Sequence, residues 1–343
     1  MGRFSRKVEQ MKFAWYCFQK GNDAQFVRNV KNAEVDFNKV SLEKFGNKSD
    51  ESMIYFIDMK ESHSGFFADH NRLLSLLYFA DIYGLKPVVQ YSSGYCYAEK
   101  HPVNGTENPF EYYFKQPGGV SLKEMNEYKC VLHSRKENGN AVIPIKGGNG
   151  GYARNEQYID EMARITAKYV CLNDEISRQF KQEIGRLLDG KNTLAVHVRG
   201  TDFKQNFNGH PVQVRTEEYL RAAQKIFEEG AYERVFLATD DLEALELFKN
   251  KFKDNLLYYE DVIRSNGVDT VMHSRVQREN HHYLLGIEVL RDMYTLASCN
   301  GLVAGLSQVS FAARIQKKSS GINYKDLVVI DKGINSHRSK NCS

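Results

Sequence analysis

From residue 53 onward, short apolar runs alternate along the chain with longer stretches whose apolar positions recur every three or four residues. The run MIYFIDM at 53–59 reads as a buried strand. A turn-rich loop at 61–65 follows, and then 68–83, where Leu73, Leu76, Leu77 and Ala80 fall at helical spacing. Gly84 stands where a glycine ends a helix. Residues 87–90 (PVVQ) read as the next strand. Strand, loop, helix and strand within about 40 residues make a βαβ unit, and that unit implies a parallel sheet.

The same rhythm returns in the second half. Two helical stretches, 156–170 and Asp174–Leu188, lead into predicted strands at Thr193–Val198, 234–238, 255–259, 302–304 and Leu327–Ile330. The intervening helices fall at 217–228, Leu242–Phe252, His281–Ser298 and 309–317. Such alternation is the pattern of a doubly wound sheet. The first 50 residues are polar and mixed, with helix expected over 8–19 and 24–32. A chain of 343 residues suits two cores of ordinary size. The expectation is therefore an α/β protein of two Rossmann-like doubly wound domains, 1–185 and 186–343, facing each other across a cleft.

Composition narrows the class without changing that picture. A formal net charge of +4 is too small for a nucleic-acid binder and suits a site that neutralises a diphosphate. No apolar run approaches the roughly 18 residues of a membrane span. The first 21 residues carry charges throughout and lack a small-residue cleavage site, unlike a secretory signal. Six scattered cysteines without a CxxC pair argue against zinc clusters and a disulfide framework. Reduced thiols and a cytoplasmic location are expected. The sequons at Asn47, Asn104 and Asn341 leave a luminal or extracellular form open.

Ligands of open α/β sheets lie beyond the carboxyl ends of the strands. The strand Thr193–Val198 ends in His197-Val198-Arg199-Gly200-Thr201-Asp202. Two residues apart, His197 and Arg199 share a face of an extended strand. Arg199 offers a planar fork that matches phosphate oxygens, and Gly200 lets backbone approach a ligand closely. An Arg199–Asp202 ion pair beside a packed histidine is the plainer alternative. The next strand ends in Thr239-Asp240-Asp241, which reads either as a divalent-metal site or as the N-cap of Leu242–Phe252. After 302–304, the turn Gly305-Leu306-Ser307-Gln308 feeds a helix whose N-terminus can cap itself and hold phosphate. In the first half, Ser64-Gly65-Phe66-Phe67 before the helix is a glycine-containing loop without a G-x-G-x-x-G fingerprint, which disfavours an NAD-dependent oxidoreductase. Tyr91, Tyr95, Tyr97, Tyr112, Tyr113 and Phe114 make either a sugar-stacking surface or aromatic core.

At these strand ends the chain resembles the α1,6-fucosyltransferase and protein O-fucosyltransferase superfamily, which includes the rhizobial nodulation fucosyltransferases. The family's motifs HVR-x-TD, ATDD and F/L-S-Q-V are matched by His197–Asp202, Ala238–Asp241 and Leu306–Val309. The likeness extends over 193–330 and places the family's guanine-contacting aspartate on Asp292. It implies a GT-B fold and inverting transfer of fucose from GDP-fucose to a carbohydrate hydroxyl, with no metal and no other cofactor. Arg199 would hold the β-phosphate, His197 and Asp292 the guanine side, and Ser307 with Gln308 the diphosphate. Gly65 and Phe66 would join the donor site, while Asp202, Asp240 and Asp241 organise it. The chain departs from the pattern in carrying Gly200 where the α1,6 enzymes have a second arginine. Their catalytic glutamate falls near Asn206 or Phe207, ahead of His210-Pro211, and neither residue can act as a base. Another nucleotide-sugar donor, or a non-catalytic carbohydrate-binding role on the same fold, stands as the alternative.

Overall fold

The computed structural model describes residues 3–24, 26–27, 34–35, 40–43, 45–48, 53–59, 64–134, 142–143, 155–200, 209–265 and 278–335. The chain separates into two compact units, Met1–Ile176 and Ser177–Ser343, each with its own sheet.

The first unit comprises α1 (Arg3–Gln19), β1 (Glu34–Val35), β2 (Val40–Glu43), β3 (Ile54–Met59), α2 (Phe66–Tyr83), β4 (Lys86–Tyr91), α3 (Leu122–Met125), β5 (Val131–Ser134), β6 (Val142–Ile143) and α4 (Glu156–Tyr169). Helix α5 (Asp174–Leu188) leads out of it. Strands β3 and β4 pair in parallel around the crossover helix α2, as the apolar runs predict. Gly84 ends α2 in the left-handed conformation at φ 64°, returning its N–H to the carbonyls of Ala80 and Asp81. The tyrosines at 91, 95, 97, 112 and 113 and Phe114 are all buried, with Tyr91 and Tyr95 4.7 Å apart between ring centroids. They are core, so the sugar-stacking alternative falls.

Strands β2 and β5 escape the periodicity because they are four residues long and carry polar side chains inward. His133 of β5 sits between two carboxylates, Nδ1 2.9 Å from Glu43 Oε1 and Nε2 3.3 Å from Asp58 Oδ2, with the Phe56 ring stacked on it. This contact joins the antiparallel edge strand β2 to the parallel pair β5–β3. Burial alone would lower the imidazole pKa, but the hydrogen bonds and charges of Asp58 and Glu43 outweigh it and raise the pKa. A raised folded-state pKa gives stability that is complete below the unfolded value and lost as pH rises through the folded one. The stability difference between wild type and His133→Gln, measured by urea unfolding, is therefore expected to be larger at pH 6 than at pH 9. A pH-independent difference would show that the ring contributes by packing alone.

The second unit comprises β7 (Thr193–Val198), α6 (Thr216–Glu229), β8 (Arg234–Thr239), α7 (Leu242–Phe252), β9 (Leu256–Leu257), α8 (His281–Ser298), β10 (Gly301–Gly305), α9 (Gln308–Ser319) and β11 (Leu327–Ile330). Its five described strands are all parallel and lie in the order β9-β8-β7-β10-β11. Counted along the chain this is 3-2-1-4-5, the order of a doubly wound nucleotide-binding sheet. Leu194, Val196 and Val198 of β7 pack with Tyr219 and Ala223 of α6 and Phe248 and Phe252 of α7. The alternation of a strand turns Ala195 and His197 to the other face. Strand β9 is shorter than the expected 255–259. A 3-10 turn over Lys253–Asn255 delays its start, and the Tyr259 hydroxyl, 2.9 Å from Thr295 Oγ1, draws the chain towards α8.

Candidate active site

The order of a doubly wound sheet reverses between its first and fourth strands, and the crevice opened there is where ligands bind. In this sheet the reversal falls between β7 and β10, which pair with Ala304 beside His197. Just beyond, Ser307 Oγ lies 3.2 Å from His197 Nδ1. Ser307 is the N-cap of α9: its Oγ accepts the Ser310 N–H at 3.1 Å, while the Ser310 hydroxyl donates to the Gly305 carbonyl at 2.8 Å. The cap fixes the start of α9 against the end of β7, and the positive end of the helix dipole points at the switch point.

Both side chains are buried. Among the described residues, Arg199, Asp240 and Gln308 are part-exposed at this edge. Burial first, and the Arg199 charge second, push the His197 pKa down to about 3. The ring is therefore held in its neutral form. Sequence reading missed Tyr219, which arrives from α6 so close to Gly305 that any Cβ at 305 would strike its hydroxyl. No spacing in the sequence marks that residue.

Gly200 has a different role from the expected one. Its N–H donates to Asp240 Oδ1 at 2.9 Å, and a Cβ there would lie 2.4 Å from that oxygen and 2.8 Å from Asp241 Cβ. The close approach is to the neighbouring strand end, and the N–H is already used. Gly200→Ala is expected to cost about 1–3 kcal/mol through overpacking, read as a lower urea midpoint. An unchanged midpoint would mean that Asp240 yields freely. Of the paired aspartates, Asp241 takes the capping role, with Oδ1 accepting the Glu243 N–H at 2.9 Å and the Ala244 N–H at 3.4 Å. Among the described residues no three His, Cys, Asp or Glu side chains cluster as metal ligands.

Asp292 lies on α8 in a second polar cluster. Although part of the residue reaches the surface, enclosing protein raises its carboxyl pKa to about 7, against the opposing charges of Arg264 and Arg291. Arg291 is itself held by Glu183 at 2.9 Å and Asp261 at 2.5 Å, with its guanidinium 3.9 Å above the Tyr259 ring centroid. Arg264, unremarked in the sequence, donates to the carbonyls of Tyr259 at 2.8 Å and Val262 at 3.1 Å. The segment 258–265 that carries it is held at its start by the Tyr259 hydroxyl against Thr295 and is pinned twice near its end. The Ile263 N–H donates to Glu288 of α8 at 3.3 Å, and the Ser265 N–H donates to the Asp240 carbonyl at 2.7 Å. One short loop thus joins the strand-end surface to the Asp292 cluster. No local spacing in the sequence marks Arg264.

In the first unit, Gly65 is the N-cap of α2, the Phe66 N–H donates to the Tyr97 hydroxyl at 3.3 Å, and the Phe66 ring is buried against Tyr97 and Tyr113. Asp202, Asn206 and Phe207 lie outside the described residues.

No protein-family profile matches the chain, and no curated protein matches it. Solved structures do resemble it. The NodZ alpha-1,6-fucosyltransferase soaked with GDP-fucose is 16% identical, covers 77% of this chain and 92% of its own, and gives a TM-score of 0.48. The fucosyltransferase NodZ from Bradyrhizobium is 17% identical over 77% of this chain and 92% of its own, at a TM-score of 0.45. POFUT1 in complex with GDP-fucose is 11% identical over 82% of this chain and 98% of its own, at 0.49.

Proposed function

We propose that the protein is a glycosyltransferase whose second unit binds a nucleotide-sugar diphosphate, and that it transfers fucose from GDP-fucose to a carbohydrate hydroxyl with inversion. The observation that carries the reading is the contact of His197 with Ser307 at the switch point of a 3-2-1-4-5 sheet, on the same edge as Arg199. In the proposed reaction the acceptor oxygen bonds to the anomeric carbon as the bond from that carbon to the β-phosphate oxygen breaks. The electron pair leaves with GDP, and the acceptor proton passes to a base. Charge grows on the β-phosphate, where the Arg199 guanidinium and the N-terminus of α9 would meet it. Preorganised donors of that kind are often the largest catalytic contribution. His197 would hold the Ser307 cap in place as an uncharged support. Asp292 would accept the N1–H and N2–H of guanine.

Thermal unfolding with GDP, UDP, ADP and dTDP tests the donor class. A ligand at 100 times its Kd adds about 2.7 kcal/mol of stability. GDP is expected to raise the Tm most. Equal or absent shifts would sink the nucleotide site, and a larger shift with another diphosphate would change the donor. GDP-fucose, the ligand named with two of the similar structures, is the first donor to assay for GDP release. Binding without release would leave a carbohydrate-binding protein on this fold. We propose further that transfer needs no metal, so activity should survive excess EDTA.

A further inference from the structure

Helix α1 has two apolar faces, and among the described residues only one has a partner. On the inner face Phe13 lies 5.3 Å from the Tyr83 ring, and the Tyr16 hydroxyl donates to the Tyr83 carbonyl at 3.0 Å, which fixes the rotation of the helix. That rotation leaves Met11, Trp15 and Phe18 between 62% and 73% exposed, with the Trp15 and Phe18 rings stacked 5.5 Å apart. Large apolar side chains exposed side by side in this way mark a contact surface.

Charge points to the occupant. Residues 3–20 hold five basic side chains (Arg3, Arg6, Lys7, Lys12 and Lys20) against the single acid Glu9. That surplus equals the formal net charge of +4 of the whole chain. Of the basic residues, Lys7 and Lys12 are exposed. Three part-exposed side chains present on the order of 400 Å², well below the about 800 Å² per partner of a stable protein interface. Interfacial insertion needs less area. A few large apolar side chains enter the headgroup boundary while lysines and arginines meet anionic lipid. Tryptophan suits that boundary, since its ring is apolar and its N–H polar.

We infer that the Met11–Trp15–Phe18 face of α1 docks on an anionic lipid surface, lying along it. No helix among the described residues is long and apolar enough to cross a membrane. The surface would bring the first unit to lipid independently of the nucleotide site in the second.

Trp15 is the only tryptophan of the chain, so its fluorescence reports on this face alone. With the 343-residue protein, vesicles of phosphatidylcholine and phosphatidylserine are expected to shift its emission to the blue and to carry the protein into the pellet. Phosphatidylcholine alone should do so markedly less. Phe18→Ser should weaken partitioning about tenfold or more, and Lys12→Glu about fivefold. Both variants change exposed residues, so unaltered melting temperatures would show that the loss belongs to the surface. The inference is overturned by an unchanged emission with both vesicle types, or by equal binding to both. A blue shift on raising protein concentration without lipid, or with soluble polyglutamate but not vesicles, also overturns it in favour of a protein partner.

Discussion

Arg199→Ala is expected to lower the rate of transfer by about 10²–10³-fold while the protein keeps its fold. Arg199 stands one residue beyond the last residue of β7, part-exposed, so its removal empties no core position. What disappears is the positive charge at the switch point, whose field already reaches His197 and Tyr219. The loss should appear in kcat, because charge on the β-phosphate is greatest in the transition state. The Tm without ligand should stay near that of the wild type, whereas the shift produced by GDP should shrink. Arg199→Lys should recover only part of the rate, since an ammonium lacks the planar fork that meets two phosphate oxygens at once. Full turnover in the alanine variant would remove Arg199 from the mechanism.

Asp292→Asn is expected to weaken GDP binding by about 10–100-fold, the worth of a hydrogen bond to a charged acceptor. It should also abolish a pH dependence that the wild type shows. Enclosure raises this carboxyl to about 7 against Arg264 and Arg291, with Glu288 and Asp261 adding to the rise and Tyr259 packed nearby. Guanine offers donors, so the ionised form binds it. Affinity should therefore climb about tenfold per pH unit below 7 and level off above, when followed by calorimetry between pH 5.5 and 8.5. Stability without ligand runs the other way. A carboxylate whose folded pKa is raised penalises the folded state progressively as pH rises from about 4 to about 7. The asparagine variant should thus gain stability relative to wild type at pH 8 and not at pH 4. A GDP affinity that ignores pH in the wild type would detach Asp292 from the nucleoside. Arg264→Gln should move the inflection upward, because it removes the first of the two opposing charges.

The sequence was most legible where packing and local chemistry agree. Thr193–Val198 is apolar but for Thr193 and His197, and in the structure all six residues are buried. Leu242–Phe252 begins where Asp241 can cap it, and the cap is present. Where a strand carries compensated polar groups, the pattern gives no warning. VLHS at 131–134 becomes a strand because Glu43 and Asp58 satisfy His133 from two other strands, a fact no local window contains. The strand-end motifs pointed to His197, Asp240, Asp241 and Ser307, but their division of labour depends on distance. Only the fold reveals that Gly200 makes room for Asp240 and that His197 and Ser307 touch across 110 residues. Arg264 and Tyr219 were invisible for the same reason, since each matters through what another element brings beside it.

The loop at 258–265 hangs between two anchors, the carbonyl of Asp240 at one end and Thr295 of α8, held by the Tyr259 hydroxyl, at the other. A molecule gripping only one anchorage would still have to still the whole span. Once that span is quiet, the opposite grip costs less entropy, so the two halves of a nucleotide should help each other. GDP should accordingly hold more firmly than guanosine and pyrophosphate, tried separately, would lead one to add up.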